Sequence, residues 1–129
     1  MRKLENSELD RLTVDGFKSA NKSPIIVVLD NIRSLNNIGS IFRTSDAFRI
    51  QKIYLCGISA IPPHKDIQKT ALGSTESVDW EYAENTLELI KELQSNNIQV
   101  LSIEQAEKAP TLNEFTPKKK TNLCACFRQ

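Results

Sequence analysis

The sequence has few of the features that mark secreted, metal-binding or membrane-spanning proteins. Cysteine occurs only three times, and Cys124 and Cys126 lie too close together to indicate a disulfide framework. One C-x-C without further Cys or His ligands nearby is also a poor zinc site, so we predict no metal. The longest apolar runs, such as Ile25–Leu29, are far short of the roughly 20 residues that a membrane helix needs. The charged start, with Arg2 and Lys3 in place of a signal peptide, indicates a cytoplasmic protein.

Glycine is also scarce, with four residues in the chain. Neither a G-x-G-x-x-G pattern nor a Walker A lysine loop occurs, which disfavours the usual dinucleotide and P-loop nucleotide sites. With 129 residues, of which 40% are hydrophobic and 26% charged, the chain has the length and composition of one globular domain.

The formal net charge is only +1, but the charges are unevenly distributed. Residues 22–69 hold seven basic and three acidic side chains, residues 76–107 hold one basic and eight acidic, and residues 108–129 hold five basic and one acidic. A polyanion would be attracted to the first and last stretches and repelled by the middle one. The alternative is a solvated surface on which charges happen to cluster.

The hydrophobic pattern alternates between strand-like and helix-like segments. We predict strands over 25–29, 53–56 and 98–103, helices over 37–48 and from residue 85, and a loop over 58–80 in which only 66–72 has a helical pattern. Asn36 or Asn37 suits the N-cap of the first helix, and Asn85 that of the second. Strands that alternate with helices indicate an α/β fold, a parallel sheet with helices on both faces.

The first 23 residues differ from this pattern. Leu4, Leu9, Leu12 and Phe17 recur at roughly helical spacing, which predicts an amphipathic helix appended to the domain. We therefore assign residues 1–23 to this helix and residues 24–129 to the main domain.

The loop after the first predicted strand is unusually polar. Ligands of open parallel sheets bind at the carboxyl ends of the strands, and this loop brings Asn31, Arg33, Asn36 and Asn37 there, with Arg43 on the helix that follows. Amide and guanidinium groups beside a helix N-terminus suit phosphate and ribose hydroxyls. The alternative is that the asparagines cap and turn while the arginines are solvated.

Two stretches resemble the signatures of one enzyme family. Asn37-Ile38-Gly39-Ser40-Ile41-Phe42-Arg43-Thr44, followed by Ala47-Phe48, is similar to the first signature of the SpoU (TrmH-like) family of RNA ribose 2′-O-methyltransferases, members of the SPOUT superfamily. Lys69-Thr70-Ala71-Leu72-Gly73-Ser74, then Val78-Asp79-Trp80, is similar to the K-x-x-x-G-A stretch that follows. The chain departs from the family pattern at Arg49, where glycine is usual, and at Ser74, where alanine is usual.

This resemblance implies a Rossmann-like sheet and transfer of a methyl group from S-adenosylmethionine to a ribose 2′-hydroxyl of structured RNA, either tRNA or rRNA. It also implies a homodimer. By the resemblance, Asn37 and Arg43 are the catalytic residues. Because a guanidinium does not lose its proton, Arg43 would act electrostatically and not as a base. The substrate RNA would contact Arg33, Asn36, Gly39 and Thr44, and the adenosine of the donor would rest against Glu104 and Gln105.

The last residues depart most from the family, which continues with a strand of the type A-L-V-F-G-N-E and the segments of a knot. Read one base later, the codons that encode residues 122–129 permit that strand. We therefore hypothesise that a frameshift near Asn122 removed the knot segment and left an inactive chain, a hypothesis that sequencing the gene past the codon for Gln129 would check. Leu123–Phe127 would serve as a substitute fourth strand. The alternative function is a non-catalytic α/β module that binds RNA or a protein partner.

Overall fold

A parallel β-sheet forms the centre of the computed structural model, which describes residues 1–5, 9, 11–118 and 121–128. In chain order, the elements are α1 (Val14–Ser19), β1 (Ser23–Asp30), α2 (Leu35–Ala47), β2 (Ile50–Cys56), α3 (Lys65–Ala71), α4 (Ser74–Ser77), β3 (Trp80–Ala83), α5 (Thr86–Ser95), β4 (Gln99–Ile103) and β5 (Leu123–Arg128). The strand order is β3-β2-β1-β5-β4, and every neighbouring pair is parallel.

Helices cover both faces of this sheet, which confirms the predicted fold class. Residues 26–29 of β1 are all buried, because successive side chains of a strand point to opposite faces and here both faces are covered. Val27 and Leu29 belong to a core cluster with buried side chains of α1, α2, α3 and the end of α4. Ile26 and Val28 belong to a second cluster with Leu89 of α5.

The tail forms an interior strand. β5 lies between β1 and β4, with Ile25 opposite Leu123 on one side and Val100 opposite Cys124 on the other. The prediction that 123–127 forms a strand is confirmed, and burial of Cys124 explains why an apolar segment suits this position. The reading-frame hypothesis stays a prediction.

The sequence-based prediction of a loop over 58–80 is wrong for its last third. Ser74–Ser77 forms the short helix α4, and Trp80 begins the strand β3, which pairs with β2 at the edge of the sheet. Glu81 and Tyr82 in the middle of β3 are exposed, so this strand lacks the apolar run that identified β1. The helical pattern noted over 66–72 corresponds to α3, which spans Lys65–Ala71.

The start of α2 also differs from the prediction. The N-cap is Ser34, whose hydroxyl accepts a hydrogen bond from the Asn37 amide at 3.2 Å, so neither Asn36 nor Asn37 has this role. The helix therefore begins two residues earlier than predicted, and both asparagines lie in its first turn. Asn85 caps α5 as predicted, accepting from the amide of Glu88 at 3.1 Å.

Most of the predicted N-terminal helix is not helical. Helix occurs only over Val14–Ser19, residues 1–5, 9 and 11–13 are irregular, and residues 6–8 and 10 lie outside the described residues. Phe17 is buried in the main core, whereas Leu4 and Leu12 are exposed. Short helices need an apolar face packed on a surface to be stable, and among the described N-terminal residues only the segment around Phe17 has one. No helix in the described ranges is long and apolar enough to cross a membrane.

Candidate functional site

The loop after β1 is held in place by the loop after β2. Asn31 adopts a left-handed conformation with φ of 54°, and its side-chain oxygen accepts from the Ile58 amide at 3.0 Å. The Ser59 hydroxyl accepts from the Ile32 amide at 2.9 Å and donates to the Leu29 carbonyl at 3.1 Å. Asn31 thus has the structural turn role that was the alternative to ligand contact.

One face of α2 presents polar side chains to solvent. Its exposed residues recur at helical spacing: Asn36, Asn37, Ser40, Arg43, Thr44 and Ala47. The opposite face is buried through Ile38 and Phe42. Four of the predicted site residues, Asn36, Asn37, Arg43 and Thr44, therefore lie on one accessible surface. Arg33 is also exposed and lies in the loop just before α2.

Gly39, the other residue predicted to contact RNA, is not part of this exposed surface. It is buried where α2 crosses α3, and a Cβ placed on it would come closer than 3.0 Å to the Thr70 hydroxyl and the Ile67 carbonyl. The Thr70 hydroxyl donates to the Asn36 carbonyl at 2.9 Å across the same crossing. Glycine is needed here for helix packing, because any side chain would push the helices apart.

The two predicted catalytic residues line different cavities. Asn37 lines a cavity of about 290 Å³ at the carboxyl end of β5, together with Ser40 and Arg128. Arg43 lines a second cavity of about 440 Å³ between α2 and the N-terminal segment, together with Arg11 and Arg49. The sequence reasoning missed Arg11 and Arg128. It noted Arg49 only as a departure from the family pattern, which was the available signal for that residue.

The predicted donor-binding residues lie in a third cleft. Glu104 and Gln105 follow the carboxyl end of β4 and line a cleft of about 730 Å³. Most of its other walls are apolar: Leu101, Ile103, Ala106, Ala109, Pro110, Leu112 and Phe115. Small-molecule sites have volumes of about 300–1,000 Å³ and combine apolar walls with a few polar groups. A nucleoside-sized ligand therefore fits the dimensions and the lining of this cleft.

The Asp30 carboxylate, at the end of β1, contacts both α5 and β5. Asp30 accepts a hydrogen bond from the Thr86 hydroxyl at 2.7 Å, and the Arg128 guanidinium lies 3.8 Å from its carboxylate.

Burial raises the pKa of the Cys56 thiol to about 11 and the pKa of the Cys124 thiol to about 12. These thiols are therefore protonated at neutral pH and are not nucleophiles. The described part of the chain contains no cluster of three or more potential metal ligands.

The acidic middle of the sequence lies away from α2. Four glutamates line one cavity beside β3 and α5: Glu81, Glu84, Glu88 and Glu92. Lys52 forms an ion pair with Glu81 at 2.7 Å, but the rest of this rim is negative. Because α5 covers the face of the sheet opposite to α2, a polyanion would be steered to the α2 side.

The structure is that of an α/β protein with Asn37 and Glu104 beside the carboxyl ends of parallel strands and Arg43 further along α2. The model of the SpoU rRNA Methylase family matches residues 24–126. The chain belongs to this family.

Known proteins resemble the chain over most of its length. It is 22% identical over 94 residues to the 23S rRNA (guanosine-2′-O-)-methyltransferase RlmB of Vibrio vulnificus (strain CMCP6). The aligned region covers 73% of this chain and 38% of that protein. The A. aeolicus TrmH/SpoU tRNA modifying enzyme superposes with a TM-score of 0.72 at 19% identity, covering 88% of this chain and 55% of the other. The methyltransferase AviRb of Streptomyces viridochromogenes, solved with AdoMet, gives 0.71 at 16%, covering 87% and 46%. The chain thus spans 38–55% of the length of these proteins.

Proposed function

We propose that the chain serves in S-adenosylmethionine-dependent methylation of a ribose 2′-hydroxyl in tRNA or rRNA. One observation carries this proposal: the family match over residues 24–126 includes a helix whose exposed face displays Arg43. Within the described residues the Arg43 guanidinium has no ion pair and no side-chain hydrogen bond, so it is available to a ligand. The names of RlmB and the TrmH/SpoU enzyme support rRNA and tRNA as the substrate classes.

Arg43 acts in this proposal through its fixed positive charge. The guanidinium stays protonated and therefore cannot remove the proton of the 2′-hydroxyl. It binds a phosphate of the target nucleotide in a bidentate manner and stabilises negative charge that develops on the 2′-oxygen during attack. Asn37, six residues earlier on the same helix, orients the ribose through its amide. Arg33, Asn36 and Thr44 extend the contact along the RNA backbone.

The cleft after β4 fits the donor. Its apolar side chains would cover the adenine, and the Glu104 carboxylate and Gln105 amide would accept and donate hydrogen bonds to the ribose hydroxyls. S-adenosylmethionine, when bound, supplies the electrophilic methyl group. We further propose that residues 1–129 bind this donor weakly and do not methylate RNA by themselves, because the cleft is formed by one strand end and the loop that follows.

A homodimer is part of the proposal. In one copy Arg43 and Glu104 line separate cavities, so a second copy that brings Arg43 to the donor cleft would complete the site. Mixing an Arg43→Ala protein with a Glu104→Ala protein tests this, since heterodimers would carry one site with both residues intact. Because residues 1–129 are proposed not to methylate RNA by themselves, both substitutions are made in a product of the gene that does methylate RNA. Restored methylation of RNA in the mixture is the expected result.

Calorimetry with S-adenosylmethionine tests the donor site directly. We expect the wild-type chain to bind weakly, Glu104→Ala to lose this binding, and Glu107→Ala to retain it, because Glu107 is exposed but does not line the cleft. Equal binding of S-adenosylmethionine by Glu104→Ala and Glu107→Ala would show that the donor binds outside this cleft. No binding by the wild-type chain would favour a non-catalytic module that binds RNA or a protein through the basic loop.

A further inference from the structure

Three arginines from separate parts of the sequence meet in the cavity that contains Arg43. Arg11 comes from the N-terminal segment, Arg43 from the body of α2, and Arg49 from the residues that follow it, and all three are exposed. Among the described residues that line this cavity, Asp46 alone is acidic, so three positive charges face one negative charge. In the part of the chain that the structure describes, none of these guanidinium groups forms an ion pair or a side-chain hydrogen bond.

Arg49 has a backbone conformation that favours glycine. Its φ is 52°, in the left-handed region, where a side chain is strained. The conformation is fixed on both sides, because the Arg49 amide donates to the Asp46 carbonyl at 3.1 Å and its carbonyl accepts from the Ser23 amide at 2.8 Å. A helix commonly ends on glycine in this geometry. An arginine at such a position points to a use for its side chain.

The two lysines near this cavity, Lys18 and Lys22, already have partners within the protein. Lys18 forms an ion pair with Asp79 at 3.7 Å. The Lys22 ammonium donates to the carbonyls of Phe17 and Ala20 and lies 4.7 Å from the centre of the Phe17 ring. The net positive charge available to a ligand therefore comes from the three arginines.

We propose that Arg11, Arg43 and Arg49 form an arginine groove that binds consecutive phosphates of the substrate RNA. Guanidinium groups match the geometry of phosphate oxygens and bind them in pairs of hydrogen bonds. Arg43 holds the phosphate at the target nucleotide, while Arg11 and Arg49 hold its neighbours and set the register of the strand. This inference rests on the proposed function, because it assigns the groove to the same RNA.

Binding of unfractionated tRNA, followed by fluorescence anisotropy over a series of KCl concentrations, tests the groove. We expect Arg11→Ala and Arg49→Gly each to weaken binding about three- to tenfold and to reduce the slope of log K against log [salt] by about 0.7–0.9. Arg49→Lys keeps the charge and retains most of the affinity. Lys91→Ala, an exposed charge change on α5, is the matched control and leaves affinity and slope unchanged.

The possible results distinguish the arginine groove from the proposed methylation. If Arg11→Ala and Arg49→Gly bind RNA as the wild type does, the groove is overturned while the proposed methylation stands. If both weaken RNA binding but the protein never binds the methyl donor, the groove stands and the proposed function is overturned. Were Arg49 present only for its favourable charge at the end of α2, Arg49→Gly would lower the melting temperature without changing RNA affinity, which also overturns the groove. Circular dichroism of each variant confirms that it is folded.

Discussion

Replacing Gly39 with alanine tests how closely α2 and α3 approach each other. The added Cβ would lie under 3.0 Å from both the Thr70 hydroxyl and the Ile67 carbonyl, and 3.0 Å from the Ala71 amide nitrogen. Two of these three atoms belong to the backbone of α3, so a change of rotamer cannot relieve the contact and the helices must move apart. The movement would open the core around Ile38 and Phe42, which are fully buried.

The expected effect is a clear loss of stability. In an exposed helix the change from glycine to alanine would stabilise by about 1 kcal/mol, whereas overpacking a core costs about 1–3 kcal/mol and more when the backbone has to shift. We expect a net loss of about 2–3 kcal/mol in the free energy of unfolding, which corresponds to a fall of about 10 °C in melting temperature for a domain of this size.

Urea unfolding followed by circular dichroism measures this difference. Ser40→Ala, one residue along on the exposed face of α2, is the matched control and should be neutral or slightly stabilising. The double variant Gly39→Ala/Thr70→Ala removes the hydroxyl contact but leaves the two backbone contacts, so we expect only partial recovery. A Gly39→Ala protein as stable as the wild type would refute the close crossing of α2 and α3.

Three further predictions concern the caps, the thiols and Arg49. Ser34→Ala should lower the free energy of unfolding by about 1 kcal/mol and Asn36→Ala should not, since only Ser34 caps α2; a larger loss in Asn36→Ala would contradict this. Burial raises the pKa of Cys56 from 9.0 to about 11. Above pH 9 the unfolded chain therefore releases a proton that the folded chain keeps, and stability should fall as pH rises towards 11, by about 1 kcal/mol per unit. Urea titrations at several pH values, with Cys56→Ala as the control for other groups, measure the slope. Arg49→Gly should raise the free energy of unfolding by about 0.5–1 kcal/mol, because glycine adopts the left-handed conformation without strain; a loss in the urea midpoint would contradict it.

The helices and strands whose own residues carry a clear apolar or capping pattern could be predicted from the sequence. β1 has a continuous apolar run because both of its faces are covered, and α5 has a capping asparagine at its first turn. β3 was missed because it is a four-residue edge strand whose middle is exposed. Ser34 was overlooked as the cap of α2 because the neighbouring asparagines are equally good caps in isolation. Which residue takes the role depends on where the loop after β1 is anchored, through Asn31 and Ser59.

The candidate site was predictable only in part for a related reason. Asn36, Asn37, Arg43 and Thr44 are close in sequence, and helical spacing places them on one face. Gly39 looked like part of that face but is buried, because the position of α3 is set by contacts distant in sequence. Arg11 could not have been associated with Arg43, since nothing in the spacing says that the N-terminal segment folds back on α2.

The position of β5 sets the order in which the molecule can assemble. Among the strands that the structure describes, β4 pairs only with β5, and β5 also completes the pairing of β1. During synthesis the ribosome makes β5 after the other four described strands, so one side of β1 and both sides of β4 stay unpaired until residues 123–128 emerge. Such an open strand edge is a template for pairing with other chains, and contacts between distant parts of a sequence form slowly. Translation speed and chaperone access while residues 123–128 are made should therefore control how much of the protein is recovered in soluble form.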